Sequence, residues 1–262
     1  MFKLPRVRLG DSGLRVSKLG FGTVDFGIKS NNITPEEGSS ILIGSSRLGV
    51  DFWDTSDDYG SHPHVAEALK LLGRENVVLS TKTSARNGRE AISSLRASLE
   101  ELGTDYVDIF LLHFVKANWI EGCRQVLKDL GTAKRAGIVK ALGISTHSVA
   151  VANEAREMKE LDVLMTIYCC ASQTIVKKYP EHIPLEDGRI EEMLRAIELA
   201  HDRGKGVIAM KVLGTGAPPL VRDYRSSIRS IARIPSIDSM VIGMKNMGEV
   251  KKNVGALVSS WS

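Results

Sequence analysis

Short apolar runs and longer amphipathic stretches alternate along this chain. The runs are Leu19 to Thr23, Val50 to Asp54, Val77 to Thr83, Tyr106 to His113, Val139 to Ser145, Val163 to Tyr168, Gly206 to Leu213 and Ser239 to Gly243. Each is short, apolar and often β-branched, the pattern of parallel strands buried on both faces. The stretches between them read as helices, with their own start and stop signals. Thr34, Pro35 and Glu37 make a capping start, and Gly49 stops the helix that follows. Further helices are predicted from His64 to Leu72, Gly88 to Leu102, Trp119 to Gly137, from Ser148, Arg189 to Gly204, Leu220 to Ala232 and Met247 to Ser259. Ahead of all of them, Val7 to Ser17 holds two alternating runs around Gly10-Asp-Ser-Gly13, which predicts a hairpin.

Eight strand-then-helix units with no Pro/Ser/Gly-rich linker predict an α/β fold: one (β/α)₈ barrel domain over residues 1–262, with the hairpin plugging the barrel bottom. A doubly wound open sheet is the other arrangement such units allow. Against it, the G-F-G-T-V-D after the first strand lacks the third glycine of a dinucleotide fingerprint.

Composition narrows the function. The chain has 262 residues, 43% hydrophobic and 25% charged, with net charge +4. Lys and Arg are spread among Asp and Glu along the helices, which argues against a nucleic-acid surface while leaving a mild bias toward anionic ligands. No run is long and apolar enough for a membrane span, and no signal peptide is expected from the Met1-Phe-Lys-Leu-Pro-Arg start. Cys123, Cys169 and Cys170 have no metal-like spacing and read as reduced thiols, hence a cytoplasmic protein.

In a barrel, chemistry collects at the carboxyl ends of the strands. The second strand ends at Asp54 and leads into T-S-D-D-Y-G, with Tyr59 in the loop; taken alone, this stretch also fits a hydrogen-bonded turn. The third strand carries Lys82 and the fourth ends at His113. A buried lysine needs a carboxylate, and Asp54 is on the adjacent strand. The ammonium would favour ionisation of Tyr59 and make it a proton donor, with His113 orienting a substrate oxygen. Proton delivery to a carbonyl oxygen suits hydride delivery to its carbon, which protein side chains cannot supply, so a nicotinamide is implied.

The ordered motifs L-G-D-S-G-L-R-V-S-K-L-G-F-G-T, D-T-S-D-D-Y-G, S-T-K-T around Lys82, L-G-T-D-Y-V-D-I-F-L-L-H ending at His113, G-I-V-K-A-L-G-I-S-T and V-I-G-M-K-N resemble the aldo-keto reductases over nearly the whole chain, most closely their bacterial and archaeal branch. The resemblance implies a (β/α)₈ barrel, carbonyl reduction by Asp54, Tyr59, Lys82 and His113, and NADPH extended across the barrel mouth. Carried over position by position, the cofactor would meet Gly22, Thr23, Ser145, Thr146, Met210, Lys211, Leu213, Gly214, Gly216, Gly243, Lys245, Asn246 and Asn253. Asp25 and Trp119 would touch a small carbonyl substrate, with Phe26 beside them. Departures fall on the nicotinamide side, where Thr146 stands for the Asn relatives often have, Met165 for Gln and Met210 for a stacking Tyr, and on the last helix, where Lys252 stands for the Glu before Asn253. The chain stops soon after the eighth helix, which predicts an open pocket without a long C-terminal loop.

Gly214, Thr215 and Gly216 would offer backbone N–H groups to the pyrophosphate, and Lys245 and Asn246 charge and polarity to the 2′-phosphate. For Lys245 a solvated surface lysine, and for Lys211 a salt bridge within a strand, are the plain readings. His62, His64, Asp57 and Asp58 suggest a metal only weakly, and no metal is expected. His147 follows the fifth strand within reach of the mouth, with a loop histidine without a role as the plainer reading; Trp53 and Trp261 read as packing, and Cys169 and Cys170 as small hydrophobes or pocket lining. The altered nicotinamide contacts leave a second function open: a cofactor-binding barrel with a regulatory role and little turnover.

Overall fold

The computed structural model describes residues 4–27 and 33–258. It begins with the expected hairpin, β1 (Arg6–Arg8) and β2 (Arg15–Ser17), paired antiparallel. The barrel and its helices follow: β3 (Leu19–Gly22), α1 (Pro35–Arg47), β4 (Phe52–Asp54), α2 (His62–Leu72), β5 (Val78–Thr83), α3 (Gly88–Leu102), β6 (Val107–Leu112) and α4 (Ile120–Arg135). The second half runs β7 (Val139–Thr146), α5 (Val149–Ala155), β8 (Val163–Ile167), α6 (Gln173–Lys178), α7 (Ile190–His201), β9 (Gly206–Met210), α8 (Pro218–Arg222), α9 (Tyr224–Ala232), β10 (Ser239–Gly243) and α10 (Met247–Val258). Eight parallel strands close into a barrel in the order β10-β3-β4-β5-β6-β7-β8-β9. This is a (β/α)₈ barrel.

Two apolar layers hold it. Side chains alternate across each strand with a period of two. Phe52, Val78, Ile109, Leu111, Ala141, Val163, Met165, Ile208 and Val241 form a cluster inside the barrel, joined by Leu9 and Val16 of the hairpin. Their neighbours Trp53, Leu79, Phe110, Leu142, Leu164 and Met240 belong to the larger cluster that the helices cover. The hairpin therefore plugs the amino-terminal end of the strands. The Asp238 carboxylate ties it there, accepting from the backbone N–H of Gly10 at 3.1 Å and of Val207 at 2.9 Å.

Several expected boundaries shift. The Thr34 capping box is present as read. The strand expected to run to Leu213 stops at Met210, because Lys211 turns left-handed with φ +57°. The helix expected over Leu220 to Ala232 is two helices, broken at Asp223, whose side chain caps α9 by accepting from Ser226 N. The short α6, capped by Ser172, carries no sequence prediction. Ser259, the expected end of the last helix, and Trp261 lie outside the described residues.

Candidate active site

The inward parity of the strands assembles the site. Following Phe52 and Val78 by even steps, Asp54 and Lys82 point into the barrel at its carboxyl end, as does His113 two residues beyond Leu111. Lys82 is 1% exposed and Asp54 4%. Lys82 Nζ donates to Asp54 Oδ2 at 2.7 Å, to the Thr55 carbonyl at 2.6 Å and to the Tyr59 hydroxyl at 3.5 Å. The same ammonium lies 4.7 Å from the centre of the Tyr59 ring. The His113 ring meets Tyr59 edge-on, with centroids 5.7 Å apart. All four sequence-predicted groups thus stand together at one mouth.

Their electrostatics differ from expectation at one point. Burial drives the Tyr59 phenol up from its ordinary value; Lys82 opposes this, and the Asp54 and Asp58 carboxylates reinforce it. The sequence reading gave the ammonium the deciding effect, whereas desolvation of the phenolate outweighs it. Burial alone would push the Lys82 ammonium down, but the Asp54 charge, Tyr59 and the hydrogen bonds to both hold it above its ordinary value. His113 Nδ1 lies 3.3 Å from Ser56 Oγ and 3.4 Å from Asp58 Oδ2. The hydrogen bond from His113 and a second from Ser56 hold the Asp58 carboxyl well below the usual carboxylate range, against burial.

Tyr59 is also placed from behind. A Cβ added at Gly27 would come within 1.6 Å of the Tyr59 carbonyl oxygen, so only glycine admits this approach of two backbones. Thr23 supports the neighbouring strand: its backbone N–H and its hydroxyl both donate to the Asp54 carbonyl at 3.0 Å, and the hydroxyl meets Ser61 Oγ at 2.8 Å.

Two expected cofactor contacts are corrected by parity. Gly22 points inward, but Thr23 is the outward neighbour, fully buried and bonded as above. Ser145 points inward; Thr146 is the outward neighbour, fully buried, donating to the Val115 carbonyl at 2.7 Å and accepting from Ser148 N at 3.0 Å. Neither hydroxyl is open to a ligand at the mouth. Ser145 Oγ accepts from the backbone N–H of Phe114 at 3.0 Å, steadying a residue held at φ +54° directly after His113.

The remaining residues of the expected cofactor set lie on the β9–β10 side. Met210, inward and part-exposed, ends β9. Lys211 lies beyond the strand, and the salt-bridge reading fails: among the described residues its part-buried ammonium forms no ion pair, and burial pushes it down. An anionic group fits such a cation. Leu213 leads into the turn Gly214–Gly216, whose three residues all have positive φ. The Gly214 and Gly216 N–H groups already donate within the turn, to Lys211 and Leu213 carbonyls. The turn's N–H groups are thus less available than expected, although nothing among the described residues stands within 4 Å of a Cβ added at Gly216. Gly243 ends β10. Lys245 Nζ is 3.9 Å from Asp25 Oδ1, and the Lys245 backbone N–H donates to Glu249 Oε2 at 2.8 Å. Asn246 Oδ1 accepts from Glu249 N at 3.0 Å and so caps α10. Asn253 is buried on α10.

Asp25, expected at substrate, stands beside Lys245 and Gly243. Phe26 is 1% exposed, packed between Phe21 and His64, and is a core residue. Trp119 is part-exposed at the mouth, its ring 4.4 Å below the Arg86 guanidinium, which joins the loops after β5 and β6. His62 and His64 turn to structural partners: His62 to Glu101 at 2.6 Å and Thr81 at 3.1 Å, His64 to the Ile33 carbonyl at 2.8 Å. Asp57 accepts from Ser94 at 2.8 Å. Cys169 is buried and Cys170 exposed. No helix among the described residues is long and apolar enough to cross a membrane.

Comparison with known proteins bears on the family and the fold. The sequence model described as the Aldo/keto reductase family matches residues 18–230. The chain is 24% identical to L-galactose dehydrogenase of Arabidopsis thaliana over 98% of its own length and 89% of the relative's. It is 28% identical to 2,5-diketo-D-gluconic acid reductase B of Corynebacterium sp. (strain SHS752001), over 56% of this chain and only 52% of that relative. A solved aldo-keto reductase from Pseudomonas aeruginosa superposes with a TM-score of 0.80 at 25% identity, covering 98% of this chain and 96% of that one.

Proposed function

The chain belongs to the aldo/keto reductase family, oxidoreductases that reduce carbonyls with a nicotinamide dinucleotide, and from that premise we propose that it reduces a small aldehyde or ketone to the alcohol with Tyr59 as the proton donor. The observation that carries this is the buried pair of Lys82 and Asp54, 2.7 Å apart, with the Tyr59 hydroxyl 3.5 Å from the same ammonium. The bound nicotinamide supplies the hydride. Tyr59 gives its proton to the carbonyl oxygen as negative charge develops there, and the Lys82 ammonium stabilises the phenolate left behind. Asp54 keeps Lys82 charged and in place. His113 turns Nδ1 toward Ser56 and Asp58; with Nδ1–H given to the carboxylate, Nε2 donates to the same carbonyl oxygen and fixes its direction in the doubly protonated ring.

The residues present fit such a cofactor. Lys211 offers its diphosphate a cation without an anion of its own, Gly216 gives it an open backbone face, and Lys245 suits an adenosine 2′-phosphate. NADPH is therefore the preferred form. The carboxylate of Asp25 beside Lys245 and that of Glu249 beside its backbone N–H dilute the preference. It is expected to be about tenfold over NADH, the worth of one exposed charge–charge contact with phosphate. In Lys245→Met the preference should collapse toward unity, read by fluorescence titration with both cofactors. A preference that survives the change, or wild-type preference for NADH, would remove Lys245 from this role.

The activity itself is tested by NADPH oxidation with the purified chain against aldehydes, ketones and quinones. Turnover with at least one class is expected. Binding without hydride loss in a single turnover would instead indicate a cofactor sensor.

A further inference from the structure

Three buried hydroxyls form a chain beside the loop that carries Tyr59. Thr23, Thr55 and Ser61 are each 0% exposed. Ser61 Oγ lies 2.8 Å from Thr23 Oγ1 and 2.9 Å from Thr55 Oγ1. Thr23 Oγ1 in turn donates to the Asp54 carbonyl at 3.0 Å. A hydroxyl has one hydrogen to give. Thr23 gives its hydrogen to a carbonyl, which can only accept, so Ser61 donates to Thr23. The Ser61 hydrogen is then committed, so Thr55 donates to Ser61. The chain therefore runs in one direction, from Thr55 through Ser61 and Thr23 to the backbone of Asp54, the residue before Thr55.

This closure brackets the proton donor. The segment 55–61 leaves the end of β4, carries Tyr59 and enters α2 from Ser61. Its two ends, six residues apart in sequence, meet through the Thr55–Ser61 hydroxyl bond. The Thr55 carbonyl accepts from Lys82 Nζ at 2.6 Å, so the same residue also seats the ammonium. Ser61 stands just before the first residue of α2, where a serine hydroxyl ordinarily caps a backbone N–H. Here it caps none, and its oxygen is turned to the chain instead. The Tyr59 hydroxyl is 3.5 Å from Lys82 Nζ, close to the limit of a hydrogen bond. A small drift of the loop is enough to break that contact.

Building on the reductase reading, we propose that Ser61 is a positioning residue: by closing the loop at Thr55, its hydroxyl holds the Tyr59 phenol within reach of Lys82 and of the substrate oxygen. Fully buried, it acts through Thr55 and Thr23. A proton donor fixed in advance needs no ordering when the substrate arrives.

The test uses Ser61→Ala, Thr55→Val, which keeps the shape of threonine without the hydroxyl, and Thr55→Ser, which keeps the hydroxyl. kcat and KM are measured with the best carbonyl substrate, with active protein counted by NADPH binding. Ser61→Ala and Thr55→Val should each lower kcat by about tenfold to a hundredfold, the effect of a displacement on the order of 1 Å. KM and the NADPH dissociation constant should stay within a few-fold of wild type. Thr55→Ser should keep most of the wild-type kcat. The double variant of Ser61→Ala with Thr55→Val should be no slower than the worse single one, since both remove the same bond. A merely structural role would lower stability and leave kcat per folded molecule unchanged.

Ultraviolet titration gives a readout without turnover. The tyrosinate signal lost in Tyr59→Phe belongs to this phenol. Burial raises its ionisation in the wild type. In Ser61→Ala the loosened loop admits water, and the signal should move down toward the ordinary tyrosine value. The assignment is overturned if Ser61→Ala turns over like wild type, if the losses of the two single variants multiply, if the loss falls on KM or cofactor affinity instead, or if the Tyr59 titration does not move. Should Ser61→Ala fail to fold by circular dichroism, Thr55→Val and Thr55→Ser decide. No reduction of any carbonyl by wild type would be a failure of the reductase reading, and the tyrosinate titration then decides on Ser61 alone.

Discussion

Replacing Tyr59 by Phe is expected to lower kcat by about 10²–10⁴, the usual contribution of a positioned proton donor, while NADPH affinity stays within a few-fold. Phenylalanine keeps the ring that meets His113 edge-on and lies near the Lys82 ammonium, so the loop should keep its place. Steady-state assays with the best carbonyl substrate, beside fluorescence titration of the cofactor, separate the two effects. Turnover near the wild-type level would remove Tyr59 from the proton-donor role. The pH profile adds an independent reading. Burial keeps the phenol protonated beyond its ordinary value, so this group should leave the reduction rate flat across neutral pH and depress it only above about pH 10. A fall in the neutral range would have to come from another residue.

The second large effect concerns Lys82. Lys82→Met leaves the Asp54 carboxylate buried without its cation, and Asp54 Oδ1 already lacks a hydrogen-bond partner among the described residues. Breaking a buried pair by removing one side costs about 3–5 kcal/mol, and turnover should fall with it because the phenolate loses its counter-charge. The double variant Asp54→Leu with Lys82→Met should recover most of the stability and none of the turnover. Urea unfolding and kcat, measured together, check this; a Lys82→Met protein as stable and as active as wild type would sink the account. The sign of the pH dependence follows from the raised ammonium. Its stabilisation is complete below the ordinary lysine value and is lost only as the pH climbs through the higher folded one, so Lys82 adds no acid sensitivity.

The barrel and the four converging groups were legible because both rest on local rules. Period-two alternation marks which residues of a strand face inward, and the helix starts at Thr34 and Asn87 carry their own capping chemistry. The same alternation makes Thr23 and Thr146 outward neighbours of inward residues, and the structure engages their hydroxyls with protein partners. Asp223 with Ser226 three residues on was likewise a readable cap, hidden because Leu220, Ile228 and Ile231 on either side suggested one continuous helix. What was not legible depends on distant parts of the chain. Nothing about a lysine signals the left-handed backbone that ends β9 at Met210. The balance at Tyr59 turns on how much water the neighbouring loops exclude. The burial of His147 depends in part on Glu186, remote in sequence, whose backbone N–H donates to its carbonyl.

The seam of the barrel joins the first of its strands to the last. β10 pairs with β3 from Met240↔Leu19 to Gly243↔Gly22, and Ser239 Oγ donates to the Ser17 carbonyl at 2.8 Å. On the ribosome, the first barrel strand therefore waits for the last one to emerge before its edge is covered, at speeds of roughly 5–20 residues per second. During those seconds the nascent chain carries an open strand edge of the kind that chaperones protect.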